Sequence, residues 1–212
     1  MCFYLAATAA AKTLEARFNA AFPDANLFEP AGEVNAFAHP ALPVITSEKP
    51  KQIELFRWGL IPAWVNDPDS AKTFLSRTLN ARAETADERP SFRNSLRYRR
   101  CLVPATAFFE WRHEGKKKIK YRITAGQEIM CLAGIWDSWR DPLSGEEWKG
   151  FSILTTAANP LMEVVHNSKK RMPVILKEED ERKWLDPERS TQEQLRGFFE
   201  PYPDELMKAE QI

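Results

Sequence analysis

Long apolar runs are missing from this 212-residue chain. None approaches the roughly 20 residues that a membrane-spanning helix requires. Cysteine is scarce, with only Cys2, Cys101 and Cys131, odd in number and far apart. No C-x-x-C pair exists, so neither the usual zinc patterns nor a disulfide scaffold is expected. The N-terminal stretch MCFYLAATAAAKTLEARF has no basic segment ahead of its alanines, which run straight into Lys12, Glu15 and Arg17. That argues against a cleavable signal and for a cytosolic protein. Also absent are a Walker loop, Rossmann glycines, G-x-S-x-G and H-E-x-x-H, so classical nucleotide, lipase and zincin chemistry falls away. Charge of one sign is missing too: thirty Lys and Arg face thirty Asp and Glu. A protein that coats nucleic acid by bulk charge would not look like this.

What charge there is, is unevenly placed. Residues 177–212 hold eleven acids against six bases, a net −5, which leaves +5 on residues 1–176. Basic clusters there are Arg93, Arg97, Arg99 and Arg100, then Lys116 to Lys118 with Lys120 and Arg122, then Lys169 to Arg171. Each is either a solvated surface or part of a common groove. Leu14, Phe18 and Ala21 at helical spacing predict a helix over residues 12–21, stopped by Pro23. From about Glu33 to Leu176 short β-branched and aromatic runs alternate with turn chemistry such as Asp67-Pro68 and Asp141-Pro142. Short helices are expected at Ser91 to Arg99 and Pro160 to Val165, and longer helical text returns in KEEDERKWL and STQEQLRGFF. The strands do not alternate regularly with helices. The expectation is therefore one α+β domain over residues 1–212, with a strongly curved, largely antiparallel, barrel-like sheet, peripheral helices and an acidic helical segment from 177 to 212.

Several residues could carry chemistry. Removal of Met1 would give Cys2 an α-amine and a thiol on adjacent carbons, with ordinary pKa values of about 7.7 to 8.0 and about 8.5. Such a pair condenses with an aldehyde, first to an imine and then, by attack of the thiol, to a five-membered thiazolidine. The alternative is an incidental cysteine in a small buried strand. Glu110 lies in the apolar run CLVPATAFFEW, where burial would raise its pKa towards the range useful for proton transfer. Strand alternation could equally turn it out to water. Asn80 and Arg82, two apart in TLNARAET, share a face if extended, an amide beside a guanidinium able to grip a phosphate, or else an ordinary surface arginine. His166 follows the expected short helix and precedes a basic cluster, as a catalytic group or a structural one. In RWGLIPAW, residues 57–64, tryptophan and arginine offer either a stacking platform for unpaired bases or core packing.

Taken together, Met1-Cys2, RWGLIPAW, LNARAET, RRCLVPATAFFEW, SILTTAANP and His166 with RMPVIL resemble the SRAP family, the SOS response-associated peptidases. The motifs occur in the family's order and reach from residue 2 to about 176. The resemblance implies a β-rich domain that binds single-stranded DNA and links itself covalently to abasic sites through a thiazolidine on Cys2. It implies that Asn80 positions the Cys2 α-amine, that Glu110 moves protons during imine formation and ring closure, and that His166 promotes opening of the sugar. The same glutamate and histidine would remove Met1. Arg82 and Arg171 would hold phosphates and Trp58 would shape the wedge that admits a single strand; no metal or organic cofactor is implied, and the partner is DNA bound by a monomer.

Two departures stand out. The family's Cys-Gly-Arg is here Cys2-Phe3-Tyr4, and its short His-x-Arg spacing is lengthened by Asn167, Ser168, Lys169 and Lys170 before Arg171, so that Lys169 is a candidate substitute for the phosphate contact. Two other readings compete: a peptidase acting on other proteins, and a noncovalent single-strand binding module.

Overall fold

The structure, a computed structural model, describes residues 2–212, with the backbone alone for Gln192. Met1, on whose removal the Cys2 chemistry depends, lies outside the described residues. Among the described residues thirteen strands run in chain order: β1 Tyr4–Ala7, β2 Ala31–Asn35, β3 Ala41–Thr46, β4 Ile53–Trp58, β5 Asn80–Arg82, β6 Arg100–Ala105, β7 Ala107–Glu114, β8 Lys117–Ala125, β9 Met130–Arg140, β10 Glu147–Ala157, β11 Arg171–Pro173, β12 Ile175–Leu176 and β13 Met207–Gln211. The helices are α1 Ala11–Phe18, α2 Pro68–Arg77, α3 Arg93–Tyr98, α4 Pro160–Val165, α5 Glu178–Leu185 and α6 Gln192–Arg196.

One sheet runs β13-β8-β7-β1-β2 and is antiparallel throughout. In the other, β10 pairs β4, β4 pairs β3, β3 pairs β6, β6 pairs β9, and β9 returns to β10, a closed five-stranded circuit. Within it only the β10–β4 contact is parallel. The α+β class with a curved, barrel-like and largely antiparallel sheet is thus the observed one. The long strand β9 reads MCLAGIWDSWR and is buried on nearly every residue. This comes from its place in the circuit, where both faces meet side chains. Closure brings backbones very close at one point: a Cβ on Gly150 would overlap the Gly59 carbonyl oxygen, and Gly59 itself has φ +127. Glycine is needed at both positions.

Two elements differ from the sequence reading. Asp67-Pro68, read as a turn, starts α2: the Asp67 side chain accepts from Ser70 N and Pro68 stands in the first turn, where it lacks only a proton no helix partner needs. The 177–212 segment is not helical to its end. Its last residues form β13, which pairs with β8 from Met207↔Ala125 to Gln211↔Tyr121. No helix is long and apolar enough to cross a membrane among the described residues.

The strand β10 collects two short strands along its second half. Beyond its pairing with β9 it takes β5 on one edge, Ile153↔Asn80 to Thr155↔Arg82, and β11 on the other, Thr155↔Pro173 to Ala157↔Arg171. Residues 80–84 and 171 are thereby gathered around Thr155.

Candidate functional site

Cys2 lies just before β1, and β1 pairs with β7 in the register Tyr4↔Phe109. This sets the start of the chain beside Glu110. Alternation along β7 sends Phe108 and Glu110 inward and turns Phe109 and Trp111 to the outer face with Tyr4, whose ring meets Trp111 edge-on at 4.9 Å. Glu110 is 5% exposed, so the outward alternative is not the one adopted. Burial pushes its carboxyl up to about 7. Cys2 is fully buried, its Sγ 3.7 Å from the Tyr4 carbonyl. Burial, and then the Glu110 charge, pushes the thiol well above its ordinary range.

His166 caps the C-terminal end of α4, a helix whose start is fixed by Asn159 accepting from Met162 N, with Pro160 in the first turn. Its Nδ1 is 2.8 Å from the Arg171 carbonyl and 3.6 Å from Glu110 Oε1. A carbonyl only accepts, so Nδ1 carries the proton and Nε2 keeps its lone pair. Burial lowers the imidazole to about 4, which keeps it neutral at neutral pH. The four extra residues after His166 make a turn that closes on the His166 carbonyl from Lys170 N at 2.8 Å, with Lys170 at φ 49. Asn167 ties that turn to β7, accepting from His113 N at 3.0 Å and donating to His113 O at 2.9 Å. Lys169 is exposed on it.

Asn80 Nδ2 donates to the Cys2 carbonyl at 2.8 Å. Its Oδ1 is buried and has no partner among the described residues. With Ala81 buried in the core, Asn80 and Arg82 share the other face of β5, as their spacing predicts. Cys2, Asn80, Glu110 and His166 therefore come together although they lie on four different elements.

The expected DNA contacts fare differently. Arg82 is exposed and lines an open groove with Asn80, Phe74, Arg77, Arg89 and Phe92. Arg171 borders the site, but its guanidinium is held by both oxygens of Glu84, at 2.6 and 2.8 Å, and by the Thr155 carbonyl. Trp58 is corrected from a surface role to a core one. It has no exposed surface, stacks on Phe151 at 6.0 Å between centroids and donates its indole N–H to the Leu79 carbonyl at 2.8 Å. The exposed tryptophan of RWGLIPAW is Trp64, which meets Phe74 edge-on at 5.4 Å at the rim of the groove. A signal existed: Trp58 ends the strand-like run IELFRW, whereas Trp64 stands after Pro62 in turn-rich text. Arg77, Arg89, Phe74 and Phe92 escape sequence reasoning, because nothing local marks a surface residue that joins a groove only in three dimensions. Arg100, counted in a basic cluster, is buried and donates to the carbonyls of Leu96, Arg97, Trp184 and Asp186. Phe3 packs on Phe37 at 5.0 Å, so the Phe3-Tyr4 pair supplies aromatic packing where an arginine was expected. Among the described residues no group of three His, Cys, Asp or Glu side chains is placed to hold a metal ion.

The family model described as SOS response associated peptidase (SRAP) matches residues 1–212. The abasic site processing protein YoqW of Bacillus subtilis is 37% identical over 173 residues, which span 81% of this chain and 74% of the relative. The abasic site processing protein HMCES of Xenopus tropicalis is 34% identical over 150 residues, 61% of this chain and 44% of the relative. A crystal structure of a Bacteroides thetaiotaomicron protein superposes with a TM-score of 0.95 at 40% identity, covering all of this chain and 92% of the other.

Proposed function

The chain belongs to the SOS response-associated peptidase (SRAP) family, and from that premise we propose that it captures abasic sites in single-stranded DNA as a thiazolidine on Cys2 once Met1 has been removed. The observation that carries the reading is the Asn80 amide, whose Nδ2 already holds the Cys2 carbonyl while its buried Oδ1 has no partner among the described residues. That oxygen is an acceptor suited to an α-amine on Cys2, and it fixes the amine's lone pair towards an incoming aldehyde. Ring closure needs a free α-amine on Cys2, so capture belongs to the processed chain.

The chemistry then distributes over residues in reach. The amine adds to C1′ of the opened sugar; water leaves to give the imine; the thiol adds to the imine carbon and its proton passes to nitrogen. A thiol raised by burial is not a thiolate at neutral pH and needs a base. Glu110, at about 7, is populated in both forms near neutrality, so it can take that proton and also supply one to the departing hydroxyl. His166, neutral and with Nε2 unprotonated, is suited to accept the C1′ hydroxyl proton as the sugar ring opens. The same pair, with a water, is suited to hydrolysis of the Met1–Cys2 bond.

The strand would lie in the groove, with phosphates on Arg82, Arg77 and Arg89 and a base against Trp64. Aromatic faces beside arginines bind unpaired bases without regard to sequence. Trp58 acts from beneath by holding the Leu79 carbonyl, one residue before Asn80. Arg171 is available to a phosphate only in competition with Glu84.

The test is a uracil-containing oligonucleotide treated with uracil glycosylase and mixed with the purified protein. A heat-stable band shift on a denaturing gel is expected, with DNA mass on a first residue that is Cys2. A shift that survives Cys2→Ser, or one formed equally by protein retaining Met1, would overturn the thiazolidine.

A further inference from the structure

Trp64 is a large exposed side chain on a loop, a poor platform unless the loop is held. Between Gly59 and Val65 this loop is fixed to the barrel by several side chains. The Asp137 carboxylate, 5% exposed on β9, accepts from Ala63 N at 3.0 Å, immediately before Trp64. Trp139, two residues along the same strand, donates its indole N–H to the Val65 carbonyl at 2.6 Å, immediately after it. Asp137 is itself held by Arg99 Nη1 at 2.6 Å and by Ser138 N at 2.9 Å. The far end of the loop is fastened in the same way, by Trp148 donating to the Gly59 carbonyl at 2.9 Å and Thr78 to that of Leu60 at 2.6 Å. Trp64 in turn has its indole N–H 3.4 Å from the Pro90 carbonyl across the groove.

We propose that Asp137 and Trp139 are positioning residues for DNA: they clamp the backbone on either side of Trp64 so that its ring is presented, already ordered, to an unpaired base. The proposal rests on the reading of the groove as the path of a DNA strand. The physical basis is pre-organisation. A base that stacks on a fixed ring does not also have to order the loop that carries it. A buried carboxylate with three donors is also a costly group to retain unless those donors are the purpose. Neither residue touches the groove, so each should act only through Trp64.

A double-mutant cycle on the full chain separates this from ordinary stabilisation. The probe is a single-stranded oligonucleotide carrying tetrahydrofuran, an abasic analogue that cannot open to an aldehyde. Trp64→Ala is expected to weaken its binding about tenfold. Asp137→Asn and Trp139→Phe are each expected to weaken it about threefold or more in the chain that keeps Trp64, and by less than about 1.5-fold in the Trp64→Ala chain. Hydrogen exchange of residues 59–65 should quicken in both clamp variants. Crosslinking at saturating abasic DNA should keep its wild-type rate. Equal losses in the two backgrounds, unchanged affinity in the first, or a fallen saturating rate would overturn the clamp, and Trp139→Phe answers alone if Asp137→Asn does not fold. No binding by the unaltered chain, or unchanged binding by Trp64→Ala, would remove the groove reading and the clamp with it. Normal coupling in a chain that binds but never crosslinks would leave the clamp standing and remove the covalent function.

Discussion

Glu110 is kept where the fold would rather have a neutral side chain, and the cost can be measured. Its carboxyl is raised from 4.5 to about 7, so between those pH values the native state holds a proton that the unfolded chain has lost. The stability this residue permits is complete below about pH 4.5 and declines as pH rises through 7, by about 3 kcal/mol in all. Glu110→Gln, neutral at every pH, should therefore be more stable than the native chain at pH 8 and no more stable at pH 4, as read by urea unfolding at the two values. The same variant should crosslink about 10²- to 10⁴-fold more slowly, since a positioned acid or base typically contributes that much. Gel-based time courses at saturating DNA give the rate. Slower chemistry with unchanged stability would assign Glu110 a different environment from the one described. At this scale the sequence offered Cys2, Asn80, Glu110 and His166, each with an ordinary alternative, and only the run of family-like motifs joined them into one candidate set. It could not show that Asn80 meets the Cys2 carbonyl or that Glu84 occupies Arg171, since each depends on a partner far along the chain.

At the scale of elements, legibility followed hydrophobic pattern. The strands β4 and β6 to β10 and the helix α4 carry strong local signals and were expected; β5, three residues long, and β13, whose text MKAEQ is mostly polar, carry almost none. β13 exists because β8 offers it an edge to pair with, a fact about its neighbour rather than itself. The helix α2 was hidden for another reason: Asp-Pro is both a turn pair and a helix start, and only the residues after it decide. Trp58 shows what an element-level role predicts. It closes β4, and its indole N–H satisfies a carbonyl on the segment leading into β5. Trp58→Phe keeps most of the packing but removes one of that carbonyl's two donors, leaving it the Ile153 N–H at 3.2 Å. A loss of about 0.5–1.5 kcal/mol, the net worth of one hydrogen bond, is expected in chemical unfolding. The salt dependence of DNA binding should not change, because no cation is moved. A flatter salt dependence in this variant would mean that Trp58 reaches the strand after all.

The whole molecule is neutral, so its hold on DNA has to come from where the cations stand and which of them are already engaged. Among the described residues Arg77, Arg82 and Arg89 form no ion pair, and all three line the groove. Arg171, the fourth candidate, is bound by Glu84 through two hydrogen bonds and is only 14% exposed as a side chain. The expectation from sequence that Arg171 grips a phosphate therefore becomes a question of competition between two anions for one guanidinium. For single strands the slope of log K against log salt is about −0.7 per phosphate neutralised, so three free arginines imply roughly −2. Arg82→Ala should flatten the slope by about 0.7 and leave base preference unchanged, since phosphates carry no sequence information. Glu84→Gln should do the reverse. Removing the carboxylate leaves Arg171 held by Thr155 without an anionic competitor, so binding should tighten at low salt and the slope should steepen by about 0.7. Fluorescence anisotropy of a labelled oligonucleotide across a salt series measures both. His166 offers a control within the same variant: its Nδ1 is held by the Arg171 backbone, so if Glu84 serves only as a competitor, the pH dependence of crosslinking at saturating DNA should stay where it was. A shifted pH profile with an unchanged salt slope would show instead that the Glu84–Arg171 pair exists to hold the histidine, and that phosphates are gripped elsewhere.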